Sequence, residues 1–98
     1  MVQKKFRLSA TVSSDNPPAI KPVLNRIFDG KGTVKETDQG FEIDAELEGE
    51  SAVALNRTLL SELRRAEKKT RMRSKWTSGN TAHKFFDYVL KATLQTED

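Results

Sequence analysis

Four carboxylates at period two, Glu42, Asp44, Glu46 and Glu48, form the densest group of acid–base side chains in the chain. Paired carboxylates do acid–base work when their surroundings differ enough for one of them to stay protonated near neutral pH. On an alternating strand these four project together into water, so a solvated face is expected rather than a catalytic pair. Calcium or magnesium needs an oxygen cage, which a flat strand does not arrange. Nucleophile–base catalysis has less to work with. His83 is the only histidine, there is no cysteine, and His83 is read as a turn-flanking residue. Soft-metal binding lacks its paired thiolates. Asp29-Gly30-Lys31-Gly32-Thr33 has the residue types of a phosphate loop. A working loop follows a strand and opens a helix, so that backbone N–H groups meet the phosphate. Here the glycines follow a helical pattern and precede a strand, which suits a helix C-cap and turn. The expectation is a non-enzyme with no cofactor, no metal and no small-molecule substrate.

Charge is divided along the chain. Residues 29–50 hold eight acids against Lys31 and Lys35, and residues 57–75 hold eight bases against Glu62 and Glu67, while the whole chain is +3. Such a division shapes surface potential and choice of partner. Arg57, Arg64, Arg65 and Lys68 fall on one helix face, with Arg71, Arg73 and Lys75 on one strand face nearby. Clustered cations of this kind bind nucleic-acid backbones by counterion release. They also solubilise a surface, and Lys68 and Lys69 near a helix C-terminus suit its dipole.

Ninety-eight residues make one domain, residues 1–98, with room for a single modest core. Without cysteine, neither disulfides nor thiolate sites are available, which fits a reducing interior. No apolar stretch near Met1 resembles a signal peptide, and no run approaches a membrane span, so a cytoplasmic protein without membrane contact is expected. The sequon Asn56-Arg57-Thr58 falls within a helical pattern and is read as chance.

The elements that must position these groups are legible from periodicity. Lys5 to Val12 alternates, with Phe6, Leu8, Ala10 and Val12 on one face, and reads as a strand. Ser13 to Pro18 is a turn with capping side chains. Ile20, Val23, Leu24, Ile27 and Phe28 then follow helical spacing, with Pro22 expected in the first turn and the regular part starting near Lys21. Gly32 to Thr37 is a short polar strand and Phe41 to Glu48 a clean one. Ser51 is a plausible N-cap for a helix running to about Lys69, with Ala52, Leu55, Leu59, Leu63 and Ala66 inward. Arg71 to Thr77 alternates again and Ser78-Gly79-Asn80-Thr81 reads as a hairpin turn. His83 to Leu94 reads as one strand with Phe86, Tyr88, Leu90, Ala92 and Leu94 on its inner face, although helix is an alternative. Facing Trp76 would then require an odd loop or a bulge. Residues 95–98 read as a disordered tail.

The expected class is α+β, a two-layer sandwich with two helices on one face of a mostly antiparallel sheet. The first six elements resemble the ferredoxin-like β-α-β-β-α-β plait, here with a C-terminal strand added. The stretch Phe41 to Leu63, a strand ending near Ala45-Glu46 followed by a short turn and a leucine-bearing helix, is similar to the small dimerising subunit of the KEOPS tRNA-modification complex. That resemblance implies oligomerisation. An RNA-recognition module of the plait type stacks bases on strand aromatics. Lys5, Arg7 and Ser9 with Glu42, Asp44 and Glu46 occupy those positions here, which disfavours that mode. The same residues form a face with a basic half and an acidic half, able to pair across a two-fold axis. Phe85 and Val89, read as outward, would supply its apolar centre. The leading expectation is therefore a non-catalytic protein–protein interaction or regulatory subunit, with interface residues Lys5, Arg7, Glu42, Asp44, Glu46, Phe85 and Val89 and self-association among its options. The alternative is backbone binding of nucleic acid through Arg57, Arg64, Arg65, Lys68, Arg71, Arg73 and Lys75.

Overall fold

The computed structural model describes residues 4–95; of the expected 95–98 tail, Gln95 instead closes the last strand, and 96–98 lie outside the described residues. The elements run β1 (Lys4–Ser13), α1 (Pro17–Phe28), β2 (Gly32–Glu36), β3 (Gly40–Gly49), α2 (Ala52–Ala66), β4 (Arg71–Ser78), β5 (Thr81–Phe86) and β6 (Val89–Gln95). They form one six-stranded sheet in the order β2-β3-β1-β4-β5-β6, every neighbouring pair antiparallel. The two helices supply the second layer. The sheet has two strands more than a four-strand plait, and with its helices it makes a two-layer α+β sandwich.

Alternation explains the core. Phe6, Leu8, Ala10 and Val12 of β1 are buried beside Phe41, Ile43 and Ala45 of β3 and Met72 and Trp76 of β4. Helix α1 adds Ile20, Leu24 and Phe28, and α2 adds Ala52, Leu59, Leu60 and Leu63. Phe6 meets Trp76 edge to face at 6.5 Å between ring centroids. Gly40 allows β3 to close against β1, because a Cβ there would lie 1.9 Å from the Val12 carbonyl oxygen.

Three expectations on helices need adjusting. Helix α1 starts at Pro17, and Pro22 sits inside it rather than in its first turn. Pro17 and Pro18 fit the start because their missing N–H groups would find no intrahelical partner there. Pro22 does forgo a bond, but Ile20 and Leu24 on either side of it are fully buried and hold the helix to the sheet. Asn16 makes no side-chain cap; its N–H donates instead to Ser14 Oγ at 3.2 Å. Helix α2 is capped as expected, with Ala54 N–H donating to Ser51 Oγ at 3.1 Å, but it ends at Ala66, not near Lys69. Glu67 is already extended, and buried Thr70 donates its hydroxyl to the Glu67 carbonyl at 2.8 Å, turning the chain into β4. On α2 the inner arc also includes Asn56 and Leu60, while Ala66 is exposed.

The C-terminal segment differs most. His83–Leu94 is not one strand but two, β5 and β6, folded back at Asp87-Tyr88. Asp87 takes a left-handed φ of 55°, which aspartate tolerates better than most residues. Its carboxylate accepts from Met72 N–H at 2.9 Å, and its own N–H donates to the Met72 carbonyl at 2.7 Å. The register also inverts the expected faces. Phe85 pairs with core-facing Ser74, and Phe86 pairs with outward Arg73. Phe85 is therefore buried and Phe86 lies on the open side, contrary to the expected alternation. The irregularity lies between β5 and β6. Lys84 pairs with Ala92 and Phe85 with Leu90, leaving Lys91 as the extra residue of a bulge.

Candidate functional site

The charged residues of the two blocks fall on different surfaces. Alternation sends Arg71, Arg73 and Lys75 to the open face of the sheet, away from the helices. Arg57, Arg64, Arg65 and Lys68 belong to the helical layer or the turn that follows it. The basic block is thus divided by the sheet and makes no single continuous patch; Arg71, at the sheet end, borders both parts.

The helical part is mostly engaged. Arg64 donates from Nε to the Thr70 carbonyl at 3.0 Å, approaches Asp87 Oδ1 at 3.6 Å and lies 5.0 Å over the Tyr88 ring. It ties the β5–β6 turn to α2, a structural task. Tyr88 adds a hydroxyl contact with Ser61 at 3.2 Å. Arg65 is 3.7 Å from Glu62, and Lys69 is 3.9 Å from Asp15. Arg57 and Lys68 are exposed, and neither pairs with a carboxylate among the described residues. An open cleft of about 940 Å³ between the α2–β4 turn and the start of α1 gathers Arg64, Lys68, Lys69 and Arg71, but Asp15 and Asp38 line it too.

Beneath this layer is a polar centre that periodicity did not single out. Asn56 is buried, accepts from Ser74 Oγ at 2.5 Å and from Trp76 Nε1 at 3.2 Å, and donates to the Asp87 carbonyl at 2.7 Å. Every polar atom in the cluster is thereby satisfied. A polar residue among the leucines of α2 is the only signal the sequence offers for this centre.

On the open face, β3 sends out Glu42, Asp44, Glu46 and Glu48 beside Lys5, Arg7, Ser9 and Thr11 of β1. Arg7 reaches diagonally to Asp44 at 3.4 Å, and Lys5 stands in register with Glu48. Both members of the Arg7–Asp44 pair are more than half exposed, so it contributes a few tenths of a kcal/mol. Beyond β1 the face turns basic, with Arg71, Arg73 and Lys75 on β4, Lys84 on β5 and the bulged Lys91 on β6. The acidic and basic halves stand two strand spacings apart, roughly 10 Å.

The interface residues expected from the sequence are partly brought together. Lys5, Arg7, Glu42, Asp44 and Glu46 share the open face. Phe85 does not join them: it is 3% exposed, because its partner Ser74 faces the core. Val89 is 55% exposed at the start of β6, and its neighbours Tyr88 and Leu90 and the more distant Leu94 are exposed as well. Among the described residues, four of the five exposed large apolar side chains thus belong to β6 or the turn before it. β2, at the opposite edge, is short and carries polar residues on most positions.

His83 lies within 3.2 Å of the Thr93 hydroxyl, across β5–β6, and pairs in register with Trp76. Among the described residues there is no group of three or more histidine, aspartate or glutamate side chains placed to hold a metal, and no helix long and apolar enough to cross a membrane. No protein-family model matches the chain, and no curated protein or solved structure is significantly similar to it.

Proposed function

We propose that this protein is a non-catalytic interaction subunit that associates with a second copy of itself through β6, on a ferredoxin-like plait extended by the β5–β6 hairpin. The observation that carries this reading is the concentration of exposed apolar side chains along one sheet edge. An edge strand presents unpaired N–H and C=O groups, and proteins usually guard such edges with charge, proline or brevity. β2 is guarded in that way. β6 exposes Val89, Leu90 and Leu94 and offers a single charge, Lys91. Antiparallel pairing of two β6 strands satisfies the edge and buries those side chains against their copies.

Amide hydrogen exchange across β6 tests the proposal. Val89 to Gln95 should become more protected as protein concentration rises from micromolar to millimolar, while β2 amides stay unchanged. Concentration-independent exchange in β6 would reject the edge-pairing reading.

A further inference from the structure

The geometry points to a binding site for single-stranded nucleic acid on the basic half of the open face, centred on Arg73, Lys75, Lys84, Lys91 and the Phe86 ring. These residues line a shallow depression of about 330 Å³ between β1, β4, β5 and β6, to which no carboxylate contributes. None of the four cations makes an ion pair among the described residues, whereas Arg64, Arg65 and Lys69 on the helical side all do. Their placement is unfavourable without a ligand. Lys75 and Lys84 stand directly opposite in the β4–β5 register, and like charges in that position repel. The β6 bulge then adds Lys91 to the same depression. A polyanion relieves that repulsion.

The aromatic element narrows the class of polyanion. Phe86 lies outward on β5, with the Arg73 guanidinium 5.3 Å over its ring. Rings and guanidinium planes are the surfaces on which unstacked bases lie, and a base can extend the Arg73–Phe86 stack. The Ser9 and Thr11 hydroxyls on adjoining β1 can donate to phosphate or sugar oxygens. A duplex keeps its bases stacked inside and would leave Phe86 without a partner. An acidic peptide would satisfy the lysines but has no use for the ring. The larger cleft at the α2–β4 turn is a poorer candidate, since Asp15 and Asp38 line it.

The test is a fluorescence-anisotropy titration of the full chain with a labelled mixed-sequence single-stranded RNA of twelve nucleotides, at several salt concentrations. The wild type should bind, with log K falling linearly against log salt. Lys84→Glu/Lys91→Glu should weaken binding at least tenfold and flatten the salt slope. Phe86→Leu, which keeps an apolar side chain, should weaken binding about five- to a hundredfold with the slope unchanged, as expected for one lost base stack. Arg65→Glu/Lys68→Glu, on the helical side, should bind within twofold of wild type. Circular dichroism melts establish that each variant is folded, and Lys84→Ala/Lys91→Ala replaces the glutamate pair if that pair unfolds. Leu90→Lys, which breaks the β6 edge, separates this site from self-association: retained binding in that monomer supports the site independently. Absence of binding at low salt would overturn the proposal. So would a loss confined to Arg65→Glu/Lys68→Glu, or equal affinity for polyglutamate or for duplex RNA.

Discussion

At the residue scale, two side chains illustrate opposite balances between stability and binding. Asn56 serves three partners while fully buried, so its loss is expensive. Asn56→Ala would leave the Trp76 N–H, the Ser74 hydroxyl and the Asp87 carbonyl with unmet hydrogen bonds, at about 1–3 kcal/mol for each that stays buried. The expected destabilisation is about 3 kcal/mol, read as a lower urea midpoint with an unchanged slope. Lys84 is the reverse case. Replacing it by glutamate converts a facing Lys75–Lys84 pair into an attractive one and should raise stability by several tenths of a kcal/mol while weakening polyanion binding. A residue that lowers stability where it stands and raises affinity for a ligand is the mark of a site rather than of a solvated surface. Thermal melts of Lys84→Glu, with and without oligonucleotide, separate the two effects. Arg64 belongs with Asn56. Arg64→Glu should destabilise by about 1–3 kcal/mol, because it removes a charged donor from the Thr70 carbonyl and places one carboxylate against another at Asp87.

At the element scale, sequence patterning was most informative where period and turn chemistry agreed. β1, β3 and β4 alternate cleanly and sit where alternation placed them, because each has one face on the core and a single slip would expose it. Ser51 capped α2 as its side chain suggested. The C-terminal hairpin was not legible for two reasons. Its turn, Asp87-Tyr88, lacks the glycine or asparagine–glycine pair that marks such turns, and Asp87 is held instead by Met72 and Arg64. Phe85 and Phe86 are adjacent aromatics, so nothing in the pattern said which would face inward; pairing with Ser74 decided it. The open-face ring was missed as a consequence. Helix α1 offers a separate check on the account. Pro22 is exposed and sits within the helix, so Pro22→Ala should raise stability by about 1–2 kcal/mol, the recovered hydrogen bond outweighing the added freedom of the unfolded chain. A denaturant midpoint that falls instead would mean that the Pro22 ring packs to advantage in the folded chain.

At the scale of the whole molecule, the division of charge visible along the sequence becomes a division across space in two ways. The acidic stripe Glu42, Asp44, Glu46 and Glu48 was legible as one strand face, and it is one. The basic block was legible as one helix face and one strand face, but not that the sheet separates the two or that Lys84 and Lys91 from beyond it join the strand portion. The resulting open face is acidic at β3 and basic from β4 to β6, with an unguarded apolar edge at β6. Pairing of two β6 edges would join the sheets and set the two basic halves side by side. Association and polyanion binding would then reinforce each other, although each has its own residues. Self-association is the central claim, and sedimentation equilibrium from about one micromolar to one millimolar protein tests it most directly. The account predicts a monomer–dimer equilibrium in the wild type that Leu90→Lys shifts toward monomer at least tenfold in dissociation constant, about 1.4 kcal/mol. A wild-type chain that remains monomeric throughout that range, or a dimer that Leu90→Lys leaves untouched, would contradict it.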